Sequence, residues 1–288
     1  MMQNTQDMIQ RLNLSGSRLS KSHRRIAEYI LQHYDKAVFM TAAKLGEMVN
    51  VSESTVVRFA VALGYEGYPE LQQALQELVR HRLTATQRFE MSSDISQEEV
   101  LSTVLKADMQ NIRSTIDGID NAAFLRAVQV ISGARRIYIL GLRSAAPLAQ
   151  FAGYYLHYIF DDVRVVAAGS TDVFEAISRI EASDVLLGIS FPRYSSRTIE
   201  AMSFARSRHA QVIGLTDGPM SPLHEVADIC LSMRTDMASF VDSMAAPMSV
   251  INALIVALGI QNREALNARF KQLEEVWDAY SVYMNEGK

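Results

Sequence analysis

Short apolar runs alternate with helical stretches throughout the second half of the chain, and this alternation restricts the possible folds more than any other feature of the sequence. Strands joined in this way by helices lie parallel in one sheet, with helices on both faces. Nearly every residue of the runs is apolar, as expected of strands buried on both sides. The predicted strands are 136–140, 163–167, 184–189, 211–215 and 229–233, and the predicted helices are 145–159, 172–180, 196–208, 221–227 and 243–259.

The first half shows only helical patterns between residues 20 and 79. Apolar residues of 23–33 recur at helical spacing. Thr41 and Ser52 have the side chains of N-caps for helices 41–49 and 52–63, and Gly64 suits a left-handed C-cap. Pro69 is placed to open a fourth helix that ends near residue 79.

Residues 80–96 are polar and have no clear apolar period, which is typical of a linker. Helices 97–116 and 121–131 then precede the first predicted strand. We therefore predict an all-α domain at 1–80, a linker at 81–96 and an α/β domain at 97–288. The sheet core of the α/β domain is expected at about 135–260.

Composition and charge narrow the functional classes. A chain of 288 residues with 49% hydrophobic residues is long enough for about two folded domains. The single cysteine, Cys230, excludes a disulfide scaffold and a zinc site built on several thiolates. No apolar run reaches about 18 residues without interruption and the first 11 residues are polar, so we expect no membrane segment and a cytoplasmic location.

The charges are unevenly distributed along the chain. Residues 11–88 hold eleven Lys and Arg against seven acids, although the whole chain has a net charge of −4. A basic module joined to an acidic one is typical of a head that binds phosphate groups on an acidic body.

The sharpest local motif is a helix-turn-helix pattern at residues 41–59. We expect Ala43, Leu45, Met48 and Val49 in the core of the first helix, Val51 in the turn, and Val56 and Phe59 in the core of the second helix. Short hydroxyl side chains and an arginine at the start of the second helix suit contacts with phosphates and base edges in the major groove. The alternative is a helical bundle used for protein contacts. The predicted DNA-binding residues are Lys44, Ser52, Ser54, Thr55 and Arg58.

Residues 41–59, followed by Ala62-Leu-Gly-Tyr-Glu-Gly-Tyr-Pro-Glu-Leu71, resemble the N-terminal domain of RpiR/MurR-type bacterial transcription regulators. The resemblance extends over nearly the whole chain. It implies a helix-turn-helix head followed by a SIS (sugar isomerase) domain, a five-stranded parallel sheet sandwiched by helices that binds phosphorylated sugars. The implied partners are a double-stranded DNA operator and a phosphosugar or sugar-acid effector, and the implied role is a regulator, more often a repressor.

Two loops at the predicted carboxyl ends of strands carry the candidate effector site, because ligands of parallel sheets bind at that edge. In the first loop, Ser144 is expected to cap the following helix and Arg143 to add a cationic fork. SIS domains generally show Gly-x-Gly-x-Ser in the first loop and Ser-x-Ser-Gly-x-Thr in the second. Here Arg143 replaces the second Gly, and the second loop has Pro192 and an insert that carries Arg and Tyr, so phosphate and carboxylate both remain open. The predicted ligand residues are Gly141, Arg143, Ser144, Ser190, Arg193, Tyr194, Ser195, Ser196 and Thr198.

Catalysis is not expected. Only His224, Glu175 and Glu181 are arguable acid–base candidates, and no cofactor or metal motif is found. A sugar-phosphate isomerase with an accessory helical domain, and a module that binds neither DNA nor sugar, are the alternatives. Asp217 suits turn chemistry, and Asp242 or Ser243 suits an N-cap. Helices 145–160 and 243–259 are apolar almost all round, which predicts a homodimer or a dimer of dimers.

Overall fold

The structure is a computed structural model that describes residues 20–38, 40–79, 84–90, 95–167, 172–237 and 240–284. The chain divides into two compact units. The first comprises Met1–Val100 with Ala238–Val241, and the second comprises Leu101–Met237 with Asp242–Lys288.

The described part of the first unit is helical. Its helices are α1 (Lys21–Gln32), α2 (Tyr34–Ala37), α3 (Ala42–Val49), α4 (Glu53–Ala62), α5 (Tyr68–Val79) and α6 (Ala85–Glu90). Ser20 caps α1 and Thr41 caps α3, each by accepting a backbone N–H three residues on. Gly64 has the predicted positive φ, at 90°. The all-α prediction for this region is therefore confirmed.

The helices of the first unit are called the head below. Its core is formed by α1, α3, α4 and α5, and Ile26, Leu45, Phe59 and Leu71 are fully buried at its centre. Two predicted core positions are wrong, because Ala43 is exposed and Met48 is 51% exposed. Ala42 and Gly46 are buried on α3 instead, so the inward face of this helix is rotated relative to the prediction.

The stretch predicted to be a linker contains helix α6. Thr84 Oγ1 accepts the backbone N–H of Gln87, and the Gln87 side chain accepts the backbone N–H of Thr84. This reciprocal pair is a capping box, which starts a helix without any long apolar period. Residues 81–83 and 91–94 of the predicted linker lie outside the described residues.

The second unit begins at Leu101, within α7 (Val100–Gly118), and continues with α8 (Asn121–Gly133). Strands and helices then alternate through β1 (Ile137–Gly141), a 3₁₀ turn (Arg143–Ala145), α9 (Ala146–Ile159), β2 (Val163–Val166), α10 (Val173–Ile177), β3 (Val185–Ile189), α11 (Ser196–Ser207), β4 (Gln211–Thr216), α12 (Leu223–Val226) and β5 (Ile229–Ser232). Helices α13 (Ala245–Gln261) and α14 (Arg263–Ala279) follow.

The strands form a five-stranded parallel sheet in the order β2-β1-β3-β4-β5, which confirms the predicted fold class within the described residues. Alternate residues of each strand enter two cores. Ile139 and Leu187 pack with α8, α9 and α13 on one face, whereas Tyr138 and Leu186 pack with α10, α11 and α12 on the other. The sheet is therefore buried on both sides.

Among the described residues, no single helix has both the length and the apolar composition to cross a membrane. The pair α13 and α14, bent by 99°, meets that test by length and composition when counted together.

Candidate functional site

The turn between α3 and α4 is held by close backbone packing. Asn50 ends α3 in the left-handed region, with φ 54°, and the Val51 amide donates to the Gly46 carbonyl at 2.9 Å. A Cβ on Gly46 would lie only 2.8 Å from the Val51 carbonyl oxygen. Only glycine therefore fits at this point on α3, and the close approach fixes how α4 follows the turn.

Four of the five predicted DNA-binding residues lie together at the start of α4. Ser52 Oγ lies 2.9 Å from Ser54 Oγ and 2.8 Å from Thr55 Oγ1. Arg58 Nε donates to the Ser54 carbonyl at 3.2 Å. Ser52 occupies the predicted N-cap position, but its side chain makes no capping bond because it pairs with these hydroxyls. The cluster combines hydroxyl groups with one guanidinium on an exposed helix start.

Lys44, the fifth predicted residue, lies on α3 and forms an exposed ion pair with Glu47 at 3.4 Å. Exposed pairs of this kind are weak, so the ammonium can exchange Glu47 for a phosphate.

His23 lies beside this cluster and was not singled out in the sequence as a site residue. Its ring contacts Phe59 edge-on at 5.6 Å between centroids. Burial lowers the pKa of His23, and the positive charge of Arg58 lowers it further. The lowered pKa favours the neutral form of the His23 ring beside the charged Arg58.

The two predicted effector loops follow neighbouring strands. β1 pairs with β3, with Gly141 opposite Ile189, so both loops leave the same edge of the sheet at its centre. The strand order changes direction between β1 and β3, and this is where parallel sheets bind ligands. Spacing along the chain could not reveal this pairing.

The second loop ends in a well-formed helix N-terminus. Ser195 caps α11 by accepting the Thr198 amide at 3.3 Å, and the Ser195 amide itself donates to Ser190 Oγ at 3.2 Å. Thr198 is fully buried in the first turn, and its Oγ1 has no hydrogen-bond partner within the described part of the chain. A buried hydroxyl without a partner costs free energy, so this group marks a place where a ligand oxygen would be stabilising.

Other side chains of this loop are tied to their neighbours. The Tyr194 hydroxyl donates to Asp217 Oδ1 at 2.7 Å, which links the loops after β3 and β4. Arg197 pairs with Asp172 at 2.9 Å and lies over the ring of Phe174. Asp217, for which a turn role was expected, therefore holds the loop through Tyr194.

Two arginines at this edge have strained backbones. Arg143 and Arg193 have φ values of 56° and 64°, in the left-handed region that favours glycine. Both side chains are exposed, and neither makes a hydrogen bond or ion pair with the residues that the structure describes. The second-loop pattern of SIS domains, Ser-x-Ser-Gly-x-Thr, can be aligned without a gap from Ser190. Arg193 then stands at the Gly position and Ser195 at the Thr position. The second loop is therefore not longer than the pattern, and the expected insert is not needed.

The predicted helix-capping role of Ser144 is wrong. The residues Arg143–Ala145 form a 3₁₀ turn, and Ala145, which has no hydroxyl, occupies the N-cap position of α9. Gly141 has a packing role, because a Cβ there would lie 2.5 Å from the Ala145 carbonyl oxygen. The first loop therefore offers the charge of Arg143 and the exposed Ser144 hydroxyl without a side-chain helix cap.

The prediction that Asp242 or Ser243 caps the long helix is also wrong. Met244 occupies the N-cap position of α13, and Ser243 Oγ donates instead to Asp108 Oδ1 at 2.6 Å.

The acid–base candidate His224 lies on α12, and its Nε2 is 3.3 Å from Ser232 Oγ. Burial lowers the pKa of its imidazole.

Comparisons with known proteins identify both units. The family model described as "Helix-turn-helix domain, rpiR family" matches residues 6–81, and that of the SIS domain matches residues 130–257. The HTH-type transcriptional regulator HexR of Escherichia coli K12 is 26% identical over 275 residues, which are 93% of each chain.

Two solved structures share the fold. The sugar isomerase domain of an RpiR transcription factor from Sphaerobacter thermophilus has a TM-score of 0.59 and 23% identity, covering 62% of this chain and 99% of that one. The Vibrio vulnificus NanR protein, solved in complex with ManNAc-6P, has a TM-score of 0.57 and 22% identity, covering 94% of this chain and 98% of that one. The matches to the rpiR-family helix-turn-helix model and to the SIS model, together with the relative HexR, show that the chain belongs to the RpiR family of HTH-type transcription regulators with a SIS domain.

Proposed function

We propose that this regulator binds an operator through α4 and senses an anionic sugar, a phosphorylated sugar or a sugar acid, at the edge formed by the loops after β1 and β3. NanR, which shares the fold, was solved with a phosphosugar. In this chain we infer that binding of the effector lowers the affinity of the regulator for its operator. The regulator is expected to be a repressor. The location is proposed to be cytoplasmic.

The observation that carries the effector site is the buried hydroxyl of Thr198 in the first turn of α11. A helix N-terminus presents backbone N–H groups and a positive dipole end, both of which attract an anion. Ser190, Ser195 and Ser196 add hydroxyl groups around the same turn. An anionic oxygen bound here would accept hydrogen bonds from Thr198 Oγ1 and from the first-turn amides that Ser195 does not cap.

The two strained arginines support an anionic ligand. Non-glycine residues in the left-handed region cost about 1–2 kcal/mol each. Such strain persists where the side chain is useful, and sites of this kind cluster at ligand-binding positions. A guanidinium binds phosphate or carboxylate through two parallel hydrogen bonds. Arg143 and Arg193 are therefore proposed to contact the anionic groups of the effector.

The effector site is tested with Thr198→Val, which keeps the shape of the side chain and removes its hydroxyl. We expect the unliganded variant to melt at the same or a higher temperature, because an unsatisfied buried hydroxyl is lost. The shift in melting temperature caused by a panel of sugar phosphates and sugar acids should shrink.

Thr115→Val is the matched control, because Thr115 is also buried but its Oγ1 donates to the Asn111 carbonyl and accepts the Arg234 amide. It should melt at a lower temperature and retain the ligand-induced shift. A wild-type shift in Thr198→Val would contradict the proposed site.

DNA binding is proposed to use Ser52, Ser54, Thr55 and Arg58 on base edges and phosphates, with Lys44 on the backbone. Arg58→Ala should weaken operator binding at least tenfold and leave ligand-induced melting shifts intact. Arg126→Ala, an exposed arginine of the second unit, is the control. Equal operator affinity of wild type and Arg58→Ala would contradict the role of α4.

We also propose a homodimer or a dimer of dimers, since paired heads read paired half-sites. Apolar groups remain exposed on the helices predicted to be apolar all round, including Tyr154 on α9 and Ile260 on α13. Ile260 lines a groove of about 490 Å³ between α9, α13 and α14. Sedimentation of wild type and Ile260→Glu tests this face, and an identical mass for both would contradict it.

A further inference from the structure

Two valines lie on the outward face of α4. Val57 is 37% exposed and Val61 is 54% exposed, whereas Val56, Phe59 and Ala60 of the same helix are buried. Counting from Ser54, Val57, Arg58 and Val61 stand at i+3, i+4 and i+7, so these four residues share one stripe of the helix. Neither valine is among the buried core residues of the head.

The stripe is not explained by helix stability. Valine is a poorer helix former than lysine, glutamate or alanine, because its branched side chain is restricted in a helix. One exposed apolar residue needs no explanation. Here both valines alternate with Ser54 and Arg58, the residues whose hydroxyl and guanidinium suit DNA contacts.

The major groove offers one apolar group at its base edges, the C5 methyl of thymine. Hydroxyl and guanidinium groups recognise hydrogen-bonding edges, but they gain nothing from a methyl group. A valine is short and has few rotamers, so it loses little entropy when it is held against a base. The charge of Arg58 on the same stripe favours a polyanionic partner over another protein surface.

We propose that Val57 and Val61 read thymine methyl groups of the operator and thereby determine part of its sequence. This inference rests on the proposed binding of DNA through α4. It adds a sequence-reading role to two residues outside the polar cluster.

The experiment uses the full chain and a DNA duplex selected by it from a random library. Each thymine of the selected site is replaced singly by deoxyuridine, which keeps base pairing and removes only the methyl group. We expect wild type to lose about fourfold in affinity at one or more thymines of each half-site, the equivalent of one buried methyl group. At such a thymine, Val57→Ala or Val61→Ala should bind the thymine and uracil duplexes equally.

Met48→Ala is the matched control, because Met48 is an exposed apolar residue on α3 rather than on this stripe. It should keep the wild-type ratio of thymine to uracil affinity. Val57→Thr, which keeps the branched shape and one methyl group, should retain part of that ratio and guards against a folding effect of the alanine variants.

The inference is overturned if no deoxyuridine substitution weakens wild-type binding. It is also overturned if both alanine variants keep the wild-type ratio of thymine to uracil affinity. A uniform loss of affinity for every duplex with an unchanged ratio would instead indicate that the valines contact a second head. Failure of the proposed function looks different: wild type would enrich no sequence and would bind duplexes no better than Arg58→Ala.

Discussion

Arg143 and Arg193 occupy the left-handed backbone region at the ends of two adjacent strands. Steric contact of Cβ with the backbone makes this region costly for every residue except glycine. An arginine at either position therefore supplies a guanidinium group but strains the backbone. Substitutions can change the strain and the guanidinium separately, so the effect on stability can be measured apart from the effect on ligand binding.

We expect Arg143→Gly to have a free energy of unfolding about 1 kcal/mol higher than Arg143→Ala, because only glycine relieves the strain. Both variants lack the guanidinium and should lose the same part of the sugar-phosphate melting shift. Urea denaturation and thermal shift measure the two effects. Equal stability of the glycine and alanine variants would mean that residue 143 is not left-handed in solution.

The capping residues show how single side chains define whole elements. Thr41 begins α3 by accepting the Lys44 amide at 3.2 Å, and Ser195 begins α11 in the same way. A capped start sets which residues of the helix face inward. In the head, this start together with the Gly46 contact determines where α4 begins and therefore which residues form its outward stripe.

Thr41→Ala should lower the free energy of unfolding of the head by about 1 kcal/mol, since it removes an N-cap. Thr41→Ser keeps the hydroxyl and should remain within a few tenths of wild type. Thermal unfolding followed by circular dichroism compares them. If both variants lose the same stability, the methyl group of Thr41 rather than its cap is what stabilises α3.

At the scale of the whole molecule, ion pairs join the amino-terminal edge of the sheet, opposite the effector loops. Asp162 accepts from Arg136 and from Arg164 Nε at 3.1 Å, which ties β1 to β2. Burial alone would raise the pKa of Asp162, but the hydrogen bonds from the two arginines outweigh it and hold the pKa below its usual value. The edge proposed to bind the effector and the ion-paired edge are therefore separate.

A lowered pKa has a definite sign for stability. The Asp162 contribution is complete above the unfolded-state pKa, near 4, and is lost as the pH falls through the lower folded-state value. Between pH 5 and pH 3, the melting temperature of wild type should fall more than that of Asp162→Asn. Asp161→Asn, a change at the adjacent exposed carboxylate, should follow wild type. Parallel curves for wild type and Asp162→Asn would contradict this assignment.

The sequence alone determined the elements, because periodicity and capping depend on residues a few positions apart. All five strands, the Thr41 cap and the left-handed Gly64 follow from such local patterns. The capping box at Thr84 and Gln87 is equally local, but apolar periodicity does not reveal it because the helix that it starts is short and polar.

The tertiary structure decided what no local pattern contains. The pairing of β1 with β3 depends on burial of helices from distant parts of the chain, and it brings Arg143 and Arg193 to one edge. The unsatisfied Thr198 hydroxyl and the outward position of Met48 depend on which groups lie nearby in space. Local chemistry thus defined the helices and strands. Long-range packing determined which side chains remain exposed or unsatisfied and are therefore available to a ligand or to DNA.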